Sequence, residues 1–231
     1  MKSVLITGAN RGIGLETAKQ LAAKGWRVFA TSRRDPFPAE PEAMLLRENP
    51  TTEFLSLDVD DPETIQLAAD TLSEKIASLD LLINNAGVLL DWNDSILNVT
   101  DSVLQQTFKT NTVGPVLVTR AFVPLLKHAA TPLVINVSSA AGCLQDMKNW
   151  APAYSISKTA LNAATRQLAA ALKSESIAVC CFSPGWVRTD MGGASATRSV
   201  QEGAQSIVDL LNQPPQTVTG RFLRDSEDIP W

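Results

Sequence analysis

Short apolar runs recur along the chain at positions 3–7, 27–31, 53–57, 79–84, 133–138, 178–183 and 221–223, and each is read as a strand. Between them lie longer stretches, 12–24, 61–76, 101–127, 153–174 and 200–211, whose apolar residues fall at three- and four-residue spacing, the mark of helices with one buried face. Strand and helix alternate, as in βα units that feed a parallel sheet. Asp61-Pro62 reads as an N-cap followed by a first-turn proline, and Thr100 is placed to cap the long helix after it. Pro36, Pro38 and Pro41 crowd a loop after the second strand, and Gly192-Gly193 opens a polar segment, but neither has the look of a linker. The expected architecture is therefore one α/β domain over residues 1–231, a doubly wound parallel sheet with helices on both faces.

Composition narrows what such a domain does. A net charge of −4 with no Lys/Arg run argues against nucleic acid and against an anionic membrane as partners. Gly8 interrupts the first apolar run too early for a signal peptide, and no stretch is apolar enough to span a bilayer, so a soluble cytoplasmic protein is expected. The three cysteines, Cys143, Cys180 and Cys181, have no metal-ligand spacing, and His128 is the single histidine. They are read as reduced, buried thiols, with no metal site.

The candidate chemistry begins directly after the first strand. Thr7-Gly8-Ala9-Asn10-Arg11-Gly12-Ile13-Gly14 runs into the first helix. Glycines there let the backbone approach a pyrophosphate, and the unpaired N–H groups at the helix start attract it. The spacing is Gly-x-x-x-Gly-x-Gly rather than the commoner Gly-x-Gly-x-x-Gly. Further along come Asp58-Val59, Asn84-Asn85-Ala86-Gly87, Asn111, Ser138-Ser139, Tyr154-x-x-x-Lys158 and Pro184-Gly185-Trp186-Val187-Arg188-Thr189, in that order. Together they resemble the short-chain dehydrogenase/reductase family, and Thr189-Asp190-Met191-Gly192-Gly193 with the closing Ile229-Pro230-Trp231 is similar to its sniffer-type carbonyl reductases and C-factor-like proteins.

That resemblance implies a Rossmann-type fold and a nicotinamide cofactor held by Gly8, Asn10, Arg11, Gly12, Ile13, Gly14, Ser32, Arg33, Asp58, Val59, Asn85, Ala86, Gly87, Tyr154, Lys158, Pro184, Gly185, Val187 and Thr189. It implies a catalytic group of Asn111, Ser139, Tyr154 and Lys158. Tyr154 and Lys158 are four positions apart, so on a helix they share a face. Alone, the pair would read as a core tyrosine with a solvated lysine one turn on; the surrounding motifs decide otherwise. A phenol ionises near pH ~10, so a base at neutral pH needs a nearby cation, and Lys158 supplies that sign of shift. Ser139 fits better than Ser138 as the residue that steadies the substrate oxygen, since strand alternation turns the two apart and Ser139-Ala140-Ala141-Gly142 keeps the family register. Asn111 lies mid-helix, where asparagine is a poor helix former, and by resemblance holds a water that links Lys158 to solvent.

The implied reaction interconverts a carbonyl and an alcohol by hydride transfer, with Tyr154 as general acid or base. The second strand ends Thr31-Ser32-Arg33-Arg34, with Ser32 where NAD-preferring relatives place a carboxylate, and Asp35 comes too late to replace it. Arg33 is read as pairing with a 2′-phosphate from one side and Arg11 from the other, which predicts NADP(H). Residues 143–150 and 191–200 are expected to shape the substrate pocket, with Trp150 and Trp186 as apolar walls and broad carbonyl specificity. A nucleotide-binding sensor or C-factor-like signalling protein with little turnover is the alternative. An epimerase is disfavoured, because the chain after Gly185 is short for a sugar-binding domain. Pairing of the helices at 101–127 and 153–174 in family members is compatible with a homodimer or homotetramer, and monomeric relatives also occur.

Overall fold

The computed structural model describes residues 1–33, 46 and 48–231, so Arg34, Asp35 and the prolines at 36, 38 and 41 lie outside the described residues. Strands β1 (Ser3–Ile6), β2 (Arg27–Ser32), β3 (Thr52–Ser56), β4 (Leu81–Asn84), β5 (Leu133–Val137), β6 (Ala178–Phe182), β7 (Phe222–Arg224) and β8 (Glu227–Asp228) form one sheet in the order β3-β2-β1-β4-β5-β6-β7-β8. Every neighbouring pair is parallel except the last, in which β8 returns antiparallel to β7. This two-residue edge strand departs from the expected all-parallel sheet. Glu227 and Asp228 are exposed and carry no apolar alternation, which is why the strand was not expected.

The helices are α1 (Gly12–Ala23), α2 (Pro62–Ser73), α3 (Asp101–Phe108), α4 (Gly114–Leu126), α5 (Pro152–Ala171), α6 (Val200–Leu210) and the single turn α7 (Pro215–Val218). β1, β4, β5 and β6 are buried along their whole length, as expected of a sheet covered on both faces. Alternate residues feed two cores. Val4, Ile6, Val28, Ala30, Ile83 and Ile135 meet Leu15, Ala18 and Leu21 of α1 and Ile207 and Leu210 of α6. Leu5, Phe29, Leu82, Val134 and Val179 meet Ile65 and Leu72 of α2 and Val118, Phe122 and Leu126 of α4. Each such side chain contributes roughly 1.5–3 kcal/mol by burial. Asp61 and Thr100 cap α2 and α3 as expected, accepting from Glu63 N and Val103 N.

The single helix expected over 101–127 is interrupted by a π-helical turn, Lys109–Val113, between α3 and α4. Pro115 has no N–H to give to Asn111, so the usual bond four residues back cannot form there, and Gly114 N donates five residues back to the Lys109 carbonyl. Among the described residues no helix is long and apolar enough to cross a membrane. After β8 the chain folds back over β7, with the Trp231 ring 5.7 Å from that of Phe222 and beneath the Arg166 guanidinium.

Candidate active site

The carboxyl ends of β1, β2, β4, β5 and β6 open into one cleft of about 1800 Å³. Its walls bring together Gly8, Asn10, Arg11, Gly12, Ile13, Ser32, Arg33, Asp58, Val59, Asn85, Ala86, Gly87, Ser139, Tyr154, Lys158, Pro184, Gly185, Val187 and Thr189, that is, all the expected site residues except Gly14 and Asn111. Gly14 lies beneath the turn. A Cβ there would stand 2.4 Å from Asn85 Nδ2 and 2.5 Å from the Gly8 carbonyl, so the glycine lets helix and turn close on each other.

The turn itself is tied to the Asn-Ala-Gly element. Thr7 Oγ1 accepts from Asn85 N and Ala86 N at 3.0 Å, and Asn85 Nδ2 donates to the carbonyls of Thr7 and Gly8 at 2.9 and 3.1 Å. Gly8 sits at φ 64, in the left-handed region that glycine adopts without strain. Whereas α2 and α6 carry side-chain caps, α1 has Arg11 at its N-cap with no side-chain bond to the first N–H groups. An uncapped, positively polarised helix start beside glycines suits the phosphates of a dinucleotide. Arg11 is engaged elsewhere: its Nη1 pairs with Asp190 across the cleft mouth, with both side chains largely exposed. Arg33 and Ser32 line the same end.

The candidate catalytic group is built on the end of β5 and on α5. Ser138 ends the strand facing the helix, where its hydroxyl donates to Asn162 Oδ1 at 2.6 Å, whereas Ser139 opens into the cleft and its Oγ accepts from Ala141 N at 3.2 Å. The tight turn Ala140–Gly142 then lies against α5, bound by Thr159 Oγ1 and Asn162 Nδ2, both donating to the Gly142 carbonyl. A Cβ at Gly142 would be 2.7 Å from the Lys158 carbonyl carbon, so only glycine permits this approach. From the other side Leu144 N donates to the Trp231 carbonyl at 3.0 Å.

Lys158 is buried and Nζ donates to the Val137 carbonyl at 2.8 Å, lying 5.7 Å from the Tyr154 ring centre. Burial lowers its pKa to about 8, partly opposed by Cys181. Burial also raises the Tyr154 phenol above its ordinary value, with the Ser139 hydroxyl opposing this in part. The direction at Tyr154 is thus opposite to the one expected from a neighbouring ammonium. Desolvation outweighs the Ser139 hydrogen bond here, and at neutral pH the phenol holds its proton.

Asn111 lies in the π-helical turn, fully buried. Its Oδ1 accepts from Val88 N at 2.8 Å, and its Nδ2 donates to the Val88 carbonyl at 2.8 Å and to Ser157 Oγ at 3.0 Å. Both Nδ2 hydrogens and one Oδ1 lone pair are thus used by protein groups, and the second Oδ1 lone pair remains. Cys180 and Cys181 are buried thiols with pKa values pushed up, consistent with inert packing roles.

Toward solvent the cleft becomes apolar. Trp92 and Trp150 pack with ring centres 5.3 Å apart and planes tilted by 55°, and the exposed Trp186 and Met191 line the same cleft. Of residues 143–150 only Trp150 reaches the lining, while Met191, Gly192, Gly193, Ala194 and Val200 do so from the second segment. Trp92 was not expected. It follows the Asn-Ala-Gly element by five positions in a segment without helical or strand periodicity, and nothing local marks it.

Fold, uncapped helix start and the Ser-Tyr-Lys cluster together define an oxidoreductase of the dinucleotide-binding α/β class. The sequence profile of short chain dehydrogenases matches residues 2–199, and the chain belongs to that family. It is similar to (+)-neomenthol dehydrogenase of Arabidopsis thaliana, at 33% identity over 94% of each chain. It superposes on NADPH-bound carbonyl reductase from chicken fatty liver with TM-score 0.91 and 35% identity, covering 100% and 99% of the two chains. With carbonyl reductase Sniffer of D. melanogaster the TM-score is 0.90 at 31% identity, over the whole of both chains.

Proposed function

We infer that this protein is an NADP(H)-dependent oxidoreductase that interconverts a carbonyl and an alcohol. The observation that supports it most directly is the convergence of Ser139, Tyr154 and Lys158 in the cleft that also holds the uncapped start of α1. The phosphates belong at residues 8–14 and the adenosine end at Ser32, Arg33, Asp58 and Val59, with Arg11 reaching the same 2′-phosphate once it leaves Asp190. When bound, the nicotinamide supplies the hydride. The chain supplies the proton: Tyr154, protonated at neutral pH, donates to the developing alkoxide while the Ser139 hydroxyl steadies that oxygen.

Lys158 stands behind Tyr154 as the group from which its proton is restored. By resemblance Asn111 holds the water that links Lys158 to solvent, and its side chain also fixes Val88 and Ser157 in place. The NADPH carried by the chicken carbonyl reductase structure agrees with the cofactor assignment. Aromatic walls at Trp92, Trp150 and Trp186 in a cleft of about 1800 Å³ suit a broad range of apolar carbonyls.

The test follows NADPH consumption with a panel of aldehydes, ketones and quinones, in the parent and in Tyr154→Phe. Turnover in the parent, a loss of at least about a thousandfold in the variant, and NADPH binding kept within about threefold are expected, since the ring still packs and only the acid is gone. Catalysis retained in Tyr154→Phe overturns the assignment. Tight NADPH binding without turnover of any carbonyl would favour a nucleotide sensor instead.

A further inference from the structure

The helix that presents Tyr154 and Lys158 begins in an unusual way. Its N-cap position is Ala151, a buried alanine at φ 43, ψ 58, which has no side chain able to cap. Pro152 follows with no N–H to offer, and no residue near in sequence satisfies the next donors. The missing acceptor arrives from a loop sixty-two positions earlier: Asp91 Oδ2 accepts from Ala153 N at 2.6 Å and lies 3.4 Å from Tyr154 N. Asp91 is 1% exposed, and its Oδ1 is buried with no hydrogen-bond partner among the described residues.

A carboxylate taken out of water with one oxygen unpaired is costly, and it is tolerated only where strong local donors compensate. Here these are the first N–H groups of α5 and the positive end of that helix. The loop bearing Asp91 is itself fixed, because Val88 is held through both its N–H and its carbonyl by Asn111. Asn111 also binds Ser157 Oγ, which donates to the Tyr154 carbonyl at 2.7 Å. The peptide units on the two sides of Tyr154 are therefore tied to one loop, directly through Asp91 and by way of Ser157 and Asn111. Trp92, next after Asp91, packs on Trp150 just before the helix, so the same loop also forms the substrate wall.

We propose that Asp91 is a positioning residue for the proposed reaction: by capping α5 from the loop before α3 it fixes Tyr154 relative to Ser139 and to the aromatic wall. This rests on Tyr154 being the proton donor of a carbonyl reductase. Asp91 touches neither substrate nor cofactor and acts through the backbone of the residue that does. The side-chain bonds of Asp91 go to α5 and not to the cofactor-binding turn.

The experiment compares Asp91→Ala, Asp91→Asn and Tyr154→Phe with the parent, using NADPH and whichever aldehyde or quinone the parent reduces. Expected for Asp91→Ala is a kcat lowered at least tenfold, an NADPH dissociation constant within threefold of the parent, and a larger solvent deuterium isotope effect as proton transfer becomes limiting. Asp91→Asn keeps an oxygen acceptor at the same place and is expected to recover kcat to within about threefold. Either of two results overturns the proposal: kcat in Asp91→Ala within twofold of the parent, or equal losses of kcat, NADPH affinity and melting temperature with no recovery in Asp91→Asn. Should Asp91→Ala not fold, Asp91→Asn against Asp91→Leu decides on the same criteria. A parent whose turnover survives Tyr154→Phe refutes the underlying reaction instead, so the two failures are separable.

Discussion

Lys158 is held where its charge is disfavoured, and removing it should stabilise the protein while abolishing its activity. Its pKa falls from 10.5 to about 8 through burial. At about 1.4 kcal/mol per pH unit, that displacement corresponds to about 3 kcal/mol by which the folded state disfavours the ammonium near pH 7. Replacing Lys158 by Met keeps the length, removes the charge and forfeits the hydrogen bond to the Val137 carbonyl, worth about 1 kcal/mol. The net gain is about 2 kcal/mol, or roughly 4–8 °C in melting temperature for a chain of this size. The pH dependence gives a second handle. Between about pH 8 and 10.5 the unfolded chain still binds a proton that folded Lys158 has released, so the stability of the parent rises with pH across that window. Lys158→Met lacks this dependence, and its advantage should shrink as pH rises from 7 to 10. Scanning calorimetry of the cofactor-free proteins at several pH values measures both effects, and NADPH-dependent reduction measures the accompanying loss. A variant that melts at or below the parent at pH 7, or an advantage that does not change with pH, would refute the desolvation reasoning.

Two further outcomes are expected. Gly142→Ala places a methyl 2.7 and 2.8 Å from the Lys158 and Thr159 backbone, so it should cost about 1–3 kcal/mol in denaturant unfolding and lower kcat by pushing Ser139 away from Tyr154. Wild-type stability and rate would show that the turn can shift freely. The parent should prefer NADPH over NADH by about 10–100-fold in kcat/KM, the value of one or two charge-assisted contacts to a phosphate, and Ser32→Asp with Arg33→Leu should erase or reverse that preference. Equal efficiency of the parent with both cofactors would refute the role given to the arginines.

Much of this protein was legible from chemistry that is local in sequence. The apolar runs that became β1, β4, β5 and β6 are short, buried on both faces and set apart by longer stretches, so their pattern located them. The glycine turn and the Tyr-Lys pair were readable for the same reason, since a turn and a helix face are each set by residues a few positions apart. What escaped was non-local. The left-handed Ala151 and its cap Asp91 are far apart in sequence, and no motif links an aspartate in a loop to a helix sixty-two residues on. The π-helical turn hides inside a segment whose apolar spacing reads as one helix, with Asn111 and Gly114-Pro115 as its local clues. The raised pKa of Tyr154 depends on how completely the fold excludes water around it, which spacing does not reveal.

Trp231 adds an ordering in time to this architecture. Leu144, which follows the Ser139 turn, is bound to the Trp231 carbonyl, and the Trp231 ring is clasped between Phe222 and Arg166. Translation delivers the glycine turn, the sheet as far as β6 and the Tyr-Lys helix long before this tryptophan. The clasp on Leu144 can therefore close only after the rest of the cleft has been made, and it adds to the bonds from Thr159 and Asn162 that already hold the Gly142 carbonyl against α5.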